Sequence, residues 1–379
     1  MISKTIKANS TEAIAQEIER VTSESFKPTL AIVFLSIKQD WKKISQVLDQ
    51  KEIAVFGATT SGEFIDGDIE EDSIVMMLLD LNPEHFRVLF LETGEHTTHE
   101  NAMQIGIAGK NTFNNPAFII ASGWLHIDGE KIIEGIIEGF GNEVTVFGGM
   151  AGDDLAMQGP LVFTNNISAV NGLLALIVDE DKIEINGIAT CGWKPIGTTK
   201  TVTKSEGNIV YTIDDKPALD MVMKYLGLDI DLDSGNDVLT NIGAYYPLQL
   251  ERENVTPVMR TAMWGNKEDR SLICAGTVPQ GSKVRFSLPP DFDAIEQVIE
   301  ECKEVKKERQ QEADALIMFS CISRHLSFGI LMTEEIEQVK QVWDAPMVGF
   351  FSYGEFGKSK TGKHEFHNNT CCIVALKEK

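Results

Sequence analysis

"PMVGFFSYGEF", residues 346–356, joins an apolar strand-type run to a loop bounded by Gly349 and Gly354 and closed by Glu355. Immediately upstream, "TEEIEQVKQVW" (333–343) carries Ile336, Val339, Val342 and Trp343 at helical spacing, and "ALIMFSC" (315–321) is a second strand-type run. Two such strands joined by a helix of about three turns are most simply a parallel pair with a right-handed crossover. The same order recurs twice more: "LAIVFLS", "DWKKISQVLDQ" and "IAVFGATTSGE" from residue 30, then "AFIIASG", "GEKIIEGIIEGF" and "VTVFGGMAGDD" from residue 117. In the second copy Ile132, Ile133, Ile136, Ile137 and Phe140 form the apolar stripe. Each unit is followed by another apolar run ("SIVMMLL", "GLLALIV", "CCIVAL") and preceded by a further helical stretch, the longest being "DAIEQVIEECKEVKKERQQEAD".

This repetition predicts a mixed α/β fold of βαβ-type units, with mixed sheets covered by helices and two tandem domains. Residues 183–213 read as hairpins, with "SEGN" turning between "TKTVT" and "IVYTI". A boundary is expected near Asp220, where Pro217 opens a short helix that gives way to the acidic stretch "DIDLDSGND", dividing the chain into 1–220 and 221–379.

The formal charge of −23 makes nucleic acid and anionic membranes poor partners. "MISKTIKANS" has no secretory apolar core, and no apolar run is long enough to span a bilayer, so a cytoplasmic protein without membrane insertion is expected. The six cysteines show no C-x-x-C pair and read as reduced thiols.

The G-x-x-x-x-G spacing of Gly57 to Gly62 and Gly349 to Gly354 is that of a phosphate loop, but Glu63 and Glu355 stand where such a loop has its lysine. A carboxylate a few ångströms from a phosphate is repelled by about 4 kcal/mol at an effective dielectric near 20. Nucleotides are therefore not expected to bind, and no cofactor is called for. A glycine-rich turn beside an acid suits instead a ligand carrying both signs, such as an amino acid. In the third copy Cys321 and Arg324 ("SCISRH") and Tyr353, Glu355, His367, Asn368 and Thr370 are expected to converge on one crevice, with Arg324 and Glu355 as its two poles. The counterpart loops carry Gly57, Gly62 and Glu63 in the first copy and Gly149, Gly152 and Asp153 in the second.

Two other chemistries fit the same residues. Cys321 with His325 or His367 makes a thiol nucleophile and its base, a cysteine-dependent enzyme for a small anionic substrate. His364, His367 and Cys371 offer metal-ligand types at short spacing, though on a strand residues 364 and 367 face opposite sides.

Seven stretches in order, "IAVFGATTSGEF", "VTVFGGMAGDD", "GWKPIGTTKTVTKSEGNIVYTIDDKPALD", "VPQGSKVRF", "FSCISR", "GFFSYGEF" and "FHNNT", resemble the FIST (F-box and intracellular signal transduction) family. The resemblance spans about Pro28 to Thr370 and implies a FIST N-terminal and a FIST C-terminal domain. It implies a non-enzymatic sensory module for a small ligand, with amino acids or their derivatives as suggested ligands. Cys321, Arg324, Tyr353, Gly354, Glu355, His367 and Asn368 fall on its motif positions. No kinase, cyclase, chemotaxis or F-box segment is recognisable, so the resemblance further implies output through a signalling partner or an oligomer.

Overall fold

Strands Leu30–Ser36 and Ala54–Thr60 are apolar on both faces and run parallel, Leu30 opposite Ala54 through Ser36 opposite Thr60. Such strands need cover on both sides of the sheet. Helix Trp41–Asp49 joins them, opened by Asp40, whose carboxylate accepts from the Lys43 amide. The second unit repeats this with Pro116–Ser122, helix Gly129–Phe140 and Thr145–Met150. The third does so with Ala315–Cys321, helix Met332–Trp343 and Met347–Ser352. The expected trailing strands are Ile74–Asp80, Gly172–Asp179 and Cys371–Glu378, each antiparallel to the first strand of its own unit. The expected leading helices are Thr11–Val21, Thr98–Thr112 and Phe292–Arg309. The third unit also holds a helix that the sequence did not suggest, Ile322–Phe328, formed directly after the strand. This computed structural model describes every residue except 23–24, 95, 124–126, 228–237, 239–241 and 310–311.

The units are laced together by their glycine turns. Past Gly62, strand Glu63–Ile65 leaves its own unit and pairs with Met347–Ser352 of the third, Phe64 opposite Gly349. Past Gly354, strand Glu355–Lys358 pairs with Thr145–Met150 of the second, Phe356 opposite Gly148. Strand Val162–Phe163 of the second pairs with Ala54–Thr60 of the first, Phe163 opposite Gly57. First to third, third to second and second to first, the exchange closes a ring. At each junction a fully buried phenylalanine lies opposite a glycine. A Cβ on Gly57 would lie 2.3 Å from the Phe163 ring, and one on Gly349 would lie 2.1 Å from the Phe64 ring. The first glycine of G-x-x-x-x-G therefore stands inside a strand and makes room for an aromatic ring, rather than opening an anion cradle.

A separate antiparallel sheet is built from strands within Pro195–Ser287. It runs Val255–Arg260, Leu248–Arg252, Lys283–Ser287, Pro195–Glu206, Ile209–Ile213, Leu272–Cys274 and Ala262–Gly265, with Lys216–Pro217 beside Ile209–Ile213. It thus takes strands from both sides of Asp220. The "SEGN" hairpin is present, Glu206 opposite Ile209 with Gly207 at φ +55°. Ile183–Thr190 departs from the hairpin reading, because it pairs with Cys371–Glu378 and so edges the third unit's sheet. Helix Ala218–Leu226 follows Pro217 as expected, and "DIDLDSGND" lies outside the described residues.

Candidate functional site

Glu355 and Glu63 occupy matching positions, and both are fully buried. Glu355 accepts from Ser352 Oγ at 2.6 Å, Thr370 Oγ1 at 2.8 Å and the Thr370 amide at 3.3 Å, and the Cys321 thiol lies near it. Glu63 accepts from Thr60 Oγ1 and, at 2.9 Å, from Ser73 Oγ. In each case one hydroxyl lies three residues before the acid and another just before the trailing strand. Burial raises Glu63 to about 7 and Glu355 to about 8 against the pull of these hydroxyls. Both carboxyls point inward and fasten the exchanged strands.

Arg324 is also fully buried, at the start of helix Ile322–Phe328. Its fork is filled by Glu335, Nε to Oε1 at 3.0 Å and Nη2 to Oε2. Nη1 donates to the carbonyls of Cys191 at 2.6 Å and Asn369 at 3.1 Å, and the guanidinium packs beside Trp193 and Phe328, whose rings meet edge to face. Its ionic partner is therefore Glu335, where the sequence had suggested a pole opposite Glu355. A signal for Glu335 was present: it falls on the same helical face as Met332, Ile336, Val339 and Trp343, an acid on an apolar stripe.

Cys321 is buried, and burial with the nearby Glu355 pushes its thiol up. His367, buried and lowered to about 4, turns Nε2 to the Gly357 carbonyl at 3.2 Å. His364, likewise lowered to about 4 by burial, turns Nδ1 to the Val146 carbonyl at 2.8 Å. Asn368 is fully buried, and neither amide atom has a hydrogen-bond partner among the described residues. Gly354 faces the Phe366 ring, where a Cβ would come within 2.4 Å.

Tyr353 reaches a different unit. Its hydroxyl donates to Asp153 Oδ1 at 2.6 Å and accepts from the Leu155 amide at 2.9 Å. Asp153 in turn accepts from the amides of Met157, Gln158 and Gly159 at 3.0, 2.7 and 2.9 Å. Together they hold a loop in which Asp154, Leu155 and Met157 adopt φ of +54°, +63° and +53°. Left-handed residues other than glycine persist only where surrounding contacts over-determine them. Of the remaining second-copy residues, Gly149 packs under Phe319 and Gly152 against Ser61.

That loop forms one wall of a crevice of about 290 Å³. The first unit lines it with Lys38, Ser61, Gly62, Glu71 and Asp72, the second with Asp154 and Leu155, and the third with Ile322, His325 and Leu326. It lies at the carboxyl ends of parallel strands, where α/β sheets place ligands. Lys38 Nζ meets Asp72 Oδ1 at 2.5 Å. Asp154 is half-buried, accepts from Ser36 Oγ at 2.9 Å and is raised by that burial. His325 stacks on Phe351, with centroids 4.3 Å apart, and burial lowers it. A wider groove of about 400 Å³ near Lys358 and Lys363 lies at the opposite, amino ends of Pro116–Ser122 and Thr145–Met150. The sequence reading did not single out Lys38, Asp72 and Asp154 as site residues, because segments remote along the chain bring them together.

Among the described residues no helix is long and apolar enough to cross a membrane. The family description FIST N domain matches residues 29–216, and FIST C domain matches residues 218–358. An uncharacterized protein of Methanocaldococcus jannaschii is 23% identical over 395 residues, covering 94% of this chain and 74% of that protein. With both domains matched in tandem over most of its length, the chain belongs to the FIST family, whose domains serve sensory signal transduction.

Proposed function

We propose that this protein is a non-enzymatic cytoplasmic sensor that binds a small amino-acid-like ligand in the crevice where the three units meet and signals through a partner protein. The observation that carries this reading is the crevice itself. Lys38 and Asp154, opposite charges contributed by different units, face one small space with apolar surface from Leu155, Ile322 and Leu326. In this reading Asp154 accepts the ligand's ammonium and Lys38 meets its carboxylate, roles the sequence reading had assigned to Glu355 and Arg324. With the domains taken as 1–220 and 221–379, the ligand bridges both, so occupancy alters how they hold together.

A thermal-shift series of the full chain against amino acids tests this, with wild type, Lys38→Ala and Asp154→Asn side by side. A ligand at a hundredfold excess over its Kd raises stability by about 2.7 kcal/mol. The shift is expected in wild type and lost in both variants. A shift that persists in both, or no shift with any amino acid, overturns the reading.

A further inference from the structure

We propose that the ligand of this crevice carries net positive charge, being an amino-acid-like compound with a second ammonium group at the end of a short alkyl chain. The inference rests on the crevice being the ligand site and names the class of compound that it takes. The lining divides by character, with Leu155, Ile322 and Leu326 offering apolar surface and Glu71, Asp72 and Asp154 offering carboxylates. Lys38 supplies the ammonium among the described lining residues, and it already touches Asp72. Three carboxylates thus face one ammonium, leaving two negative charges uncompensated within a space of about 290 Å³. His325 does not make up the deficit, since its burial favours the neutral ring.

A zwitterion satisfies Asp154 and shares Lys38, but leaves Glu71 facing the ligand without a counter-charge. A terminal ammonium answers Glu71, while the methylenes leading to it cover Leu155, Ile322 and Leu326. An anion of the same shape brings a further carboxylate against those already present. The overall charge of −23 adds a long-range preference of the same sign.

The test is a calorimetric titration of the full chain with three amino acids of nearly equal length: ornithine with a terminal ammonium, norvaline with none, and glutamate with a carboxylate. Ornithine is expected to bind about tenfold or more tightly than norvaline, as one charge-assisted hydrogen bond provides, and glutamate weakest. Glu71→Gln, at an exposed position where the fold is not at stake, should erase the preference for ornithine over norvaline. Norvaline binding as tightly as ornithine, in a manner lost in Asp154→Asn, leaves the crevice as the ligand site and overturns this proposal alone. Glutamate binding tightest, no ornithine binding at millimolar concentration, or a preference undiminished in Glu71→Gln overturns it as well.

Discussion

A carboxyl buried among hydroxyls, with no cation beside it among the described residues, favours its protonated form, and Glu63 and Glu355 are two such groups. Their folded values of about 7 and about 8 lie above the ordinary 4.5. The folded state therefore holds protons that the unfolded state has released, so stability is fullest below 4.5 and declines as pH rises through 7 and 8. Each group contributes a slope of at most about 1.4 kcal/mol per pH unit. Denaturant titrations at about pH 5 and about pH 9 should find wild type weaker at the higher pH, with the difference reduced in Glu63→Gln and in Glu355→Gln. An unchanged pH difference in both variants would remove the carboxyls from the account. Glu355 was visible in the sequence as an acid where a phosphate loop has lysine, but its inward direction was not. Direction depends on Thr370 and on the exchanged strand, neither of which lies in the loop. Arg324 was likewise visible, while its partner Glu335 waited on knowing which helical face is buried.

Phe64 on Gly349, Phe163 on Gly57 and Phe356 on Gly148 make the three junctions of strand on strand. Gly349→Ala places a methyl 2.1 Å from the Phe64 ring and 2.4 Å from the Met318 carbonyl. Overpacking of this kind destabilises by about 1–3 kcal/mol, and pairing the change with Phe64→Leu should recover part of the loss. Gly94→Ala, with nothing among the described residues within 4 Å of its added methyl, serves as the control and should change stability by no more than about 0.5 kcal/mol. Equal effects at the two glycines in thermal unfolding would contradict the junction packing. The strands and helices of the three units were legible because short continuous apolar runs alternate with stretches of helical spacing. Helix Ile322–Phe328 was not, since "ISRHLSF" is short and its N-cap, Cys321, makes no side-chain cap. The pairing of Glu63–Ile65 with a strand of the third unit was equally hidden, because periodicity marks a strand without naming its neighbour.

At the scale of the molecule, the closed ring makes the two halves of the chain interdependent. Residues 1–220 alone lack Met347–Ser352, on which Glu63–Ile65 pairs, and Glu355–Lys358, which covers the edge of Thr145–Met150. A fragment ending at residue 220 is expected to show no cooperative thermal transition, and mixing it with the remainder should restore one. A sharp transition near that of the whole chain would show that the ring is dispensable. Repetition was the most legible feature of the sequence; the cyclic order of the exchange was not, since the three copies differ in length past their glycine turns.

The ring also sets a timetable for the newborn chain. At about 5–20 residues per second, Glu63–Ile65 leaves the ribosome some tens of seconds before Met347–Ser352 is made. During that interval the early sheets carry bare edges, the kind of surface on which neighbouring nascent chains join wrongly. Holding those edges apart until the third unit arrives is a demand that this architecture places on every cell that makes it.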